Sequence, residues 1–380
     1  MRGSVFSVSF QVISVLLCMP SFILPLQIKE NLADETETTT RRRVSTNAWA
    51  AAAQLQPPET SVTAGGEAEG SEWWLGHESL LKQAWKEWED AMIEEGSLPL
   101  LNSSLIHPEL RHKVYECWRN PTADSEEHLR RIWNETIASR LVFSYKNLLT
   151  EEGVEAVRIH LEAIATSNIP RRRPNGMNRY GVLLDPSIPG GIAHSPLHLF
   201  LDMLVNDFVR PLGRLFFPSH IHLDDDANYY AFTIRYSSSE DLQLKEHSDA
   251  SVITLNLNLN LAKENYDESS IYFVTDDVQT KVDGDNDVLS KRMKKHRHEL
   301  QFEPGMALLH RGFLRHGAMP ISSGQRHNLV IWLYGKDGSV RFAPYELHEQ
   351  LSREQRWSQG RKMSQCDGDT CSAELNFDFL

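Results

Sequence analysis

The sequence predicts an α+β fold, a double-stranded β-helix (jelly-roll) core with packed N-terminal helices. Three observations carry that expectation. Leu81, Trp85, Trp88 and Met92 recur at the spacing that lines one helix face. Thr254 to Leu261 alternates strictly between polar residues and leucine, so Thr254, Asn256, Asn258 and Asn260 share one face of a strand. Further β-prone runs (231–236, 271–274, 306–310 and 329–334) are separated by turn-forming residues, the pattern of two packed antiparallel sheets.

Taken in order, residues 1–28 hold one early cation, Arg2, and an uncharged run from Val5 to Ile28 broken by Pro20 and Pro25. This reads as a signal peptide or a single type II signal anchor, with the secretory pathway (ER or Golgi lumen) as destination and plastid or cytoplasm as alternatives. The sequons at Asn102 and Asn134 fit a lumenal chain, and Cys366 and Cys371 are close enough to bridge there, leaving Cys117 odd. Residues 29–71 lack a sustained apolar period and read as a disordered linker. A helical region spans 72–140, with Leu129, Ile132, Trp133 and Ile137 as a second apolar helix face. Thr150 is a plausible N-cap for a third helix, followed by Glu151 and Glu152 in its first turn. The main domain covers 141–340, interrupted by a charged insertion at 275–298, and 341–380 forms a C-terminal tail. A basic loop between Pro170 and Pro174, with Arg171, Arg172 and Arg173, suits an acidic partner or a solvated turn.

With 380 residues and 41% hydrophobic content the chain is large enough for a substantial core. Its net charge of −13 argues against a nucleic-acid partner and favours a basic peptide. Four cysteines are too few for a disulfide scaffold.

The chemistry concentrates in His247-Ser248-Asp249 and, 67 residues after Asp249, His316. Residues i and i+2 of a strand point to the same side, so the first motif places an imidazole beside a carboxylate. One more histidine completes a 2-His-1-carboxylate set that holds a metal with open positions. After His316, the sequence reads as strand, tight turn at Gly324, and a second strand carrying Arg326, Asn328, Val330 and Trp332 on one face. A guanidinium can bind both oxygens of a carboxylate.

These blocks resemble the prolyl-4-hydroxylase-like Fe(II)/2-oxoglutarate dioxygenases, and are especially similar to the group named for a 2-oxoglutarate and iron-dependent oxygenase domain. The matching stretches are Ala231 to Tyr236, Leu244 to Asp249 and Thr254 to Asn256. They continue with Phe302 to Gly305, His310 to Gly312, His316 to Ala318, and Gly324 to Trp332. The similarity covers about 141–338. It implies that His247, Asp249 and His316 ligate Fe(II) and that Arg326 binds the distal carboxylate of 2-oxoglutarate. It also implies that Tyr236 contacts the co-substrate, with Thr254 and Asn256 as further pocket residues. The expected cofactors are Fe(II), 2-oxoglutarate and O₂, with ascorbate as an auxiliary reductant. The expected reaction is hydroxylation of a C–H bond, of peptidyl proline or lysine or of a small molecule, with succinate formed from 2-oxoglutarate. Where relatives often carry Gly-Gly before an aromatic strand, this chain has Glu268-Ser269-Ser270.

Two other classes compete: a jelly-roll binding module without catalysis, which need not retain the triad, and a metal-dependent hydrolase, which leaves Arg326 unexplained. Other metal-like clusters are weaker. His220 and His222 with Asp224 to Asp226 lack a completing element. Asp283 to Asp287 has Val288 and Lys294 where a calcium loop needs Gly and Glu. His296 and His298 lie among cations, and His310 competes with His316 on spacing less favourable to the Gly-x-Arg block.

Overall fold

In the computed structural model the described residues are 47–58, 67–137, 141–222, 228–282, 289–335, 340 and 343–358. All lie in one compact unit, Thr46–Leu380. The apolar run 5–28, the 283–287 acidic loop, and Cys366 with Cys371 fall outside them. Among the described residues no helix is long and apolar enough to cross a membrane.

The helices are α1 (Ala48–Ala52), α2 (Glu67–Glu95), α3 (Pro108–Arg119), α4 (Ala123–Arg131), α5 (Glu151–Thr166) and α6 (Ser195–Met203). A π-helical turn, Leu204–Val209, joins α6 to α7 (Arg210–Phe216), and α8 spans Arg353–Arg356. Strands β1 (Asn134–Ile137), β2 (Val142–Tyr145), β3 (Val182–Leu183), β4 (Tyr229–Ser237), β5 (Leu244–His247) and β6 (Ile253–Asn258) come first. They are followed by β7 (Asp267–Glu268), β8 (Ile271–Val282), β9 (Leu289–Leu300), β10 (Ala307–Arg311), β11 (His316–Ala318), β12 (Ile321–Ser323) and β13 (Gln325–Leu333).

Pairing is antiparallel between these strands. Seven form a major sheet in the order β1-β2-β10-β6-β13-β4-β3, and four form a minor sheet, β5-β11-β8-β9. The period of two decides what each face of the major sheet meets. Leu255 and Leu257 of β6 and Leu329, Ile331 and Leu333 of β13 join one large core with Trp85, Trp88, Phe200 and Phe208 of the helices. The alternate residues turn toward the minor sheet. Val142 and Leu308 pack with Ile271 and Phe273, and Phe232, Ile234 and Val330 pack with Ala318. Between these two apolar clusters lies the polar face of β6. Both faces of the central strands are buried, and what distinguishes the faces is chemistry.

Thr150 caps α5 as expected, its Oγ1 accepting from the Gly153 amide at 3.0 Å, a contact worth about 1 kcal/mol. Gly324 adopts φ +76°, and a Cβ there would sit 2.5 Å from the Asn265 carbonyl oxygen. The turn that returns β13 beside the site therefore needs glycine for two reasons.

Four expectations change. The linker expected at 29–71 contains ordered helix in its described part: Ala48 and Ala52 of α1 are buried against the core, and α2 already begins at Glu67. Asn47 caps α1, and the Trp49 indole donates to the Ser167 carbonyl at 2.8 Å. The apolar spacing from Leu129 to Ile137 does not mark one helix. Helix α4 ends at Arg131, and Ile137 belongs to β1, paired with β2. The charged insertion at 275–298 is largely a two-stranded extension, β8 paired with β9 from Ile271↔Leu300 to Val282↔Leu289. The tail 341–380 is docked in its described part. Arg356 makes a two-point contact with the buried Glu126 carboxylate at 2.9 and 2.7 Å, and the Trp357 indole adds a third donor at 3.0 Å. Cys117 is a buried thiol of the helical core, and burial raises its pKa to about 11, so it packs as an apolar side chain.

Candidate metal and co-substrate site

His247 ends β5 and His316 opens β11, and the two are cross-strand partners. Asp249 follows the end of β5, its amide held by the Gly312 carbonyl at 2.8 Å. A strand pair and a one-residue reach thus bring together three side chains whose ligating atoms lie within 4.8 Å of one another. Gly317 permits the approach, since a Cβ there would stand 2.5 Å from the Tyr272 hydroxyl and 2.6 Å from the Leu244 carbonyl oxygen.

The tautomers follow from the hydrogen bonds. His247 Nδ1 faces the Lys245 carbonyl at 2.8 Å and His316 Nδ1 faces the Leu314 carbonyl at 2.9 Å. A carbonyl only accepts, so each Nδ1 carries the hydrogen and each Nε2 presents its lone pair. Those Nε2 atoms stand 3.3 and 3.5 Å from the two oxygens of Asp249. Thr254 Oγ1 donates to Asp249 Oδ2 at 2.7 Å and is itself 2.8 Å from Ser251 Oγ. This outer layer fixes the carboxylate, as the second layer of metal sites does.

Electrostatics agree with a cation site. Burial pushes the Asp249 carboxyl up, but His316, His247, His310 and Thr254 outweigh it, and the group stays ionised far below the usual carboxylate range. Burial pulls His247 down, yet its contacts with Asp249 leave it raised. Burial lowers His316. His310 is not in the ligand set. Its ring lies 4.7 Å from that of His316, its Nδ1 faces the Arg311 carbonyl at 3.0 Å, and burial pushes its pKa down to about 4. It is a neutral platform under His316.

Arg326, on the inter-sheet face of β13, lines the same cavity as the triad and is 0% exposed. Its guanidinium carbon sits 4.5 Å from the centroid of the Tyr236 ring, and Nη1 donates to the Ser269 carbonyl. Nε and Nη2 are buried with no hydrogen-bond partner. Leaving two donors of a buried cation unsatisfied is costly, and a carboxylate would answer both. Burial pulls the Arg326 pKa down, with Tyr236 and Tyr266 opposing. The donor set of the triad and these orphaned nitrogens fit Fe(II) and a dicarboxylate respectively.

The structure brings together all the residues singled out in the sequence, with some differences of role. Tyr236 is buried against Arg326, and burial pushes its pKa up to about 12, so its hydroxyl is a donor. Thr254 is committed to Asp249. Asn256 lines the cavity with a buried, unpartnered Oδ1. Ser269 was not foreseen. It and Glu268 take φ 54° and 63°, the left-handed region that favours glycine, and this bend aims the Ser269 carbonyl at Arg326. The departure from Gly-Gly was the available signal. Among the described residues no other cluster of metal-ligating side chains has convergent free atoms.

Two-sheet packing with an open 2-His-1-carboxylate set and a buried arginine is a site able to hold a metal ion with free positions and, beside it, a carboxylate. Comparison with known proteins gives the particular relatives. "2-Oxoglutarate and iron-dependent oxygenase domain-containing protein 2" from Xenopus tropicalis is 30% identical over 226 residues, covering 60% of this chain and 58% of that protein. The Danio rerio protein of the same name is 30% identical over 255 residues, 64% of this chain and 65% of that one. From Arabidopsis thaliana, "2-oxoglutarate and iron-dependent oxygenase domain-containing protein ICU11" is 32% identical over 160 residues, 42% of this chain and 36% of that one. The chain is homologous to these proteins, and spans about three-fifths of the length of the first two. No family model matches. A Pseudomonas putida prolyl-4-hydroxylase structure aligns over 62% of this chain and 97% of its own at 13% identity and TM-score 0.32.

Proposed function

We propose that the protein is an Fe(II)- and 2-oxoglutarate-dependent dioxygenase that hydroxylates a C–H bond of a peptidyl proline or lysine. The observation that carries this reading is the pairing of an open triad with a buried arginine whose Nε and Nη2 have no partner. A hydrolase has no use for that arginine, and a binding module has none for the open triad. The facing antiparallel sheets support a double-stranded β-helix, with 141–340 as the catalytic domain. The uncharged run Val5–Ile28 supports entry to the secretory pathway, with the segment cleaved or retained as an anchor.

His247 Nε2, His316 Nε2 and an oxygen of Asp249 would hold Fe(II), which when bound supplies the activation of O₂. The carbonyls of Lys245 and Leu314 keep both rings in the coordinating tautomer. Thr254 holds Asp249 in place. Arg326 binds the distal carboxylate of 2-oxoglutarate, with Tyr236 donating beside it. Phe232, Ile234, Ile271 and Val330 line the cavity and restrict water. Overall, one oxygen atom of O₂ enters succinate as CO₂ leaves, and the other becomes the product hydroxyl.

The test is succinate formation by the full chain with Fe(II), 2-oxoglutarate and ascorbate, beside Arg326→Ala. Succinate that needs both iron and 2-oxoglutarate, and falls at least about 30-fold in the variant, is expected from losing a charge-assisted pair. Undiminished turnover in Arg326→Ala, or turnover without iron, would overturn the reading.

A further inference from the structure

The basic loop of the sequence has a definite place in the fold. Arg172 is structural, its Nη1 donating to the Pro189 carbonyl at 2.9 Å. Arg171 and Arg173 line a cleft on the helix-facing side of the major sheet, between α5 and the β3–β4–β13 strands. Arg158, Arg179, Arg235 and Lys263 line it too, so six cationic side chains meet three acidic ones, Glu155, Glu162 and Glu264. Arg158 is paired with Glu264 and Arg235 with Glu240. In a chain of net charge −13 this concentration of cations runs against the overall balance, and locally it reverses the preference for a basic peptide that the net charge suggests. Its neighbours register the field. Arg171 is lowered by burial and by the like charge of Arg235, and His327 is pushed down to about 4 by burial, Arg158 and Arg235. The apolar part of the cleft comes from Ile159, Leu161, Val182 and Leu261.

The same loop also walls the metal cavity. Arg171, Arg173, Arg179 and Tyr180 face the cleft, while Asn175, Met177 and Asn178 line the cavity of the triad. Asn178 Nδ2 donates to Asn175 Oδ1 at 3.1 Å, which leaves Asn178 Oδ1 and Asn175 Nδ2 buried without partners. One is an acceptor and the other a donor, as a passing peptide amide requires.

We propose that this cleft binds an acidic, extended stretch of polypeptide, the segment flanking the residue presented to the metal cavity, which rests on the peptide-substrate reading above. The charge selects carboxylate-rich sequence, the aliphatic floor takes its apolar side chains, and the 171–181 loop carries the chain toward the triad. Recognition is thus separated from chemistry, with acidic character read on one side of the sheet and the reacting residue held on the other.

The experiment is fluorescence anisotropy of a short labelled peptide of alternating Glu and Ala on the full chain, without iron or 2-oxoglutarate. A Lys-Ala peptide serves as control. Binding of the acidic peptide alone is expected, weakened about ten-fold in Arg171→Glu/Arg179→Glu, where two attractions become repulsions, and unchanged in His316→Ala. Should the double variant misfold by circular dichroism, the exposed Lys263→Glu gives the same test with a smaller loss. No binding, equal binding of both peptides, or indifference to the charge reversals would overturn the proposal. Displacement by a DNA or sulfated oligosaccharide at far lower concentration than by free acidic peptide would overturn the peptide assignment. Because binding is read without turnover, an active enzyme that ignores the peptide refutes the cleft alone, and an inert chain that binds it refutes only the dioxygenase reading.

Discussion

Among the described residues, two clusters bring together two histidines and a carboxylate, and of these two only one is open. In the first, His247 and His316 each spend Nδ1 on a backbone carbonyl and leave Nε2 facing Asp249. In the second, His160 Nδ1 meets His194 Nε2 at 2.8 Å, His160 Nε2 meets the Pro99 carbonyl at 2.8 Å, and His194 Nδ1 meets Glu89 at 2.9 Å. All four ring nitrogens are engaged there, and Glu89 also caps α6 through the Ser195 amide at 2.6 Å. The same residue types give a ligand set in one place and a buried clamp between α2, α5 and α6 in the other. What separates them is whether lone pairs converge unpartnered. Residue identity alone does not make a metal site.

The largest expected effect sharpens this contrast. His316→Ala should weaken metal binding by more than about 100-fold, since removing one of three protein ligands leaves no facial set. His194→Ala should leave metal binding unchanged and lower stability by about 2 kcal/mol, the scale for leaving buried hydrogen-bonding groups unsatisfied. Metal titration and denaturant unfolding on both variants check the pair. Next comes Arg326→Ala, which should raise the apparent Kd for 2-oxoglutarate by about 100-fold in the presence of metal, the worth of a two-point charged contact. Calorimetry with an inert divalent ion measures it. Thr254→Val removes a support of Asp249, and should cost about 10-fold in metal affinity while preserving the fold.

A smaller effect concerns the docked tail. Burial alone would raise Glu126, but the hydrogen bonds of Arg356 and Trp357 and the charge of Arg130 leave it lowered. A carboxyl lowered on folding stabilises fully above its ordinary value of about 4.3 and loses that contribution as pH falls through the folded value. Glu126→Gln should therefore lower the melting temperature at neutral pH and flatten the acid limb of the stability curve. An unchanged limb would mean that the tail is not anchored by this charge. Smallest is Glu268→Gly with Ser269→Gly, which should stabilise the fold by about 1 kcal/mol per site by removing left-handed strain, read as a raised melting temperature.

The sequence makes these regions legible to different degrees, for physical reasons. The triad and Arg326 announce themselves because strand periodicity and one tight turn suffice to bring them close. Strand β6 reads cleanly for the same reason. The Leu129–Ile137 spacing misleads because a helix end and a following strand together mimic one helical face. Glu126 with Arg356 and His160 with His194 join distant parts of the chain, and no local period encodes such pairs. The role of Ser269 is invisible by type, since its carbonyl acts and every residue has one.

The most direct test of the account is anaerobic titration of Fe(II) into the full chain, His316→Ala and His194→Ala, followed by 2-oxoglutarate. The account predicts one tight equivalent of metal in the wild type and in His194→Ala, none in His316→Ala, and 2-oxoglutarate binding only where metal is held. Metal retained by His316→Ala, or lost from a folded His194→Ala, would contradict it.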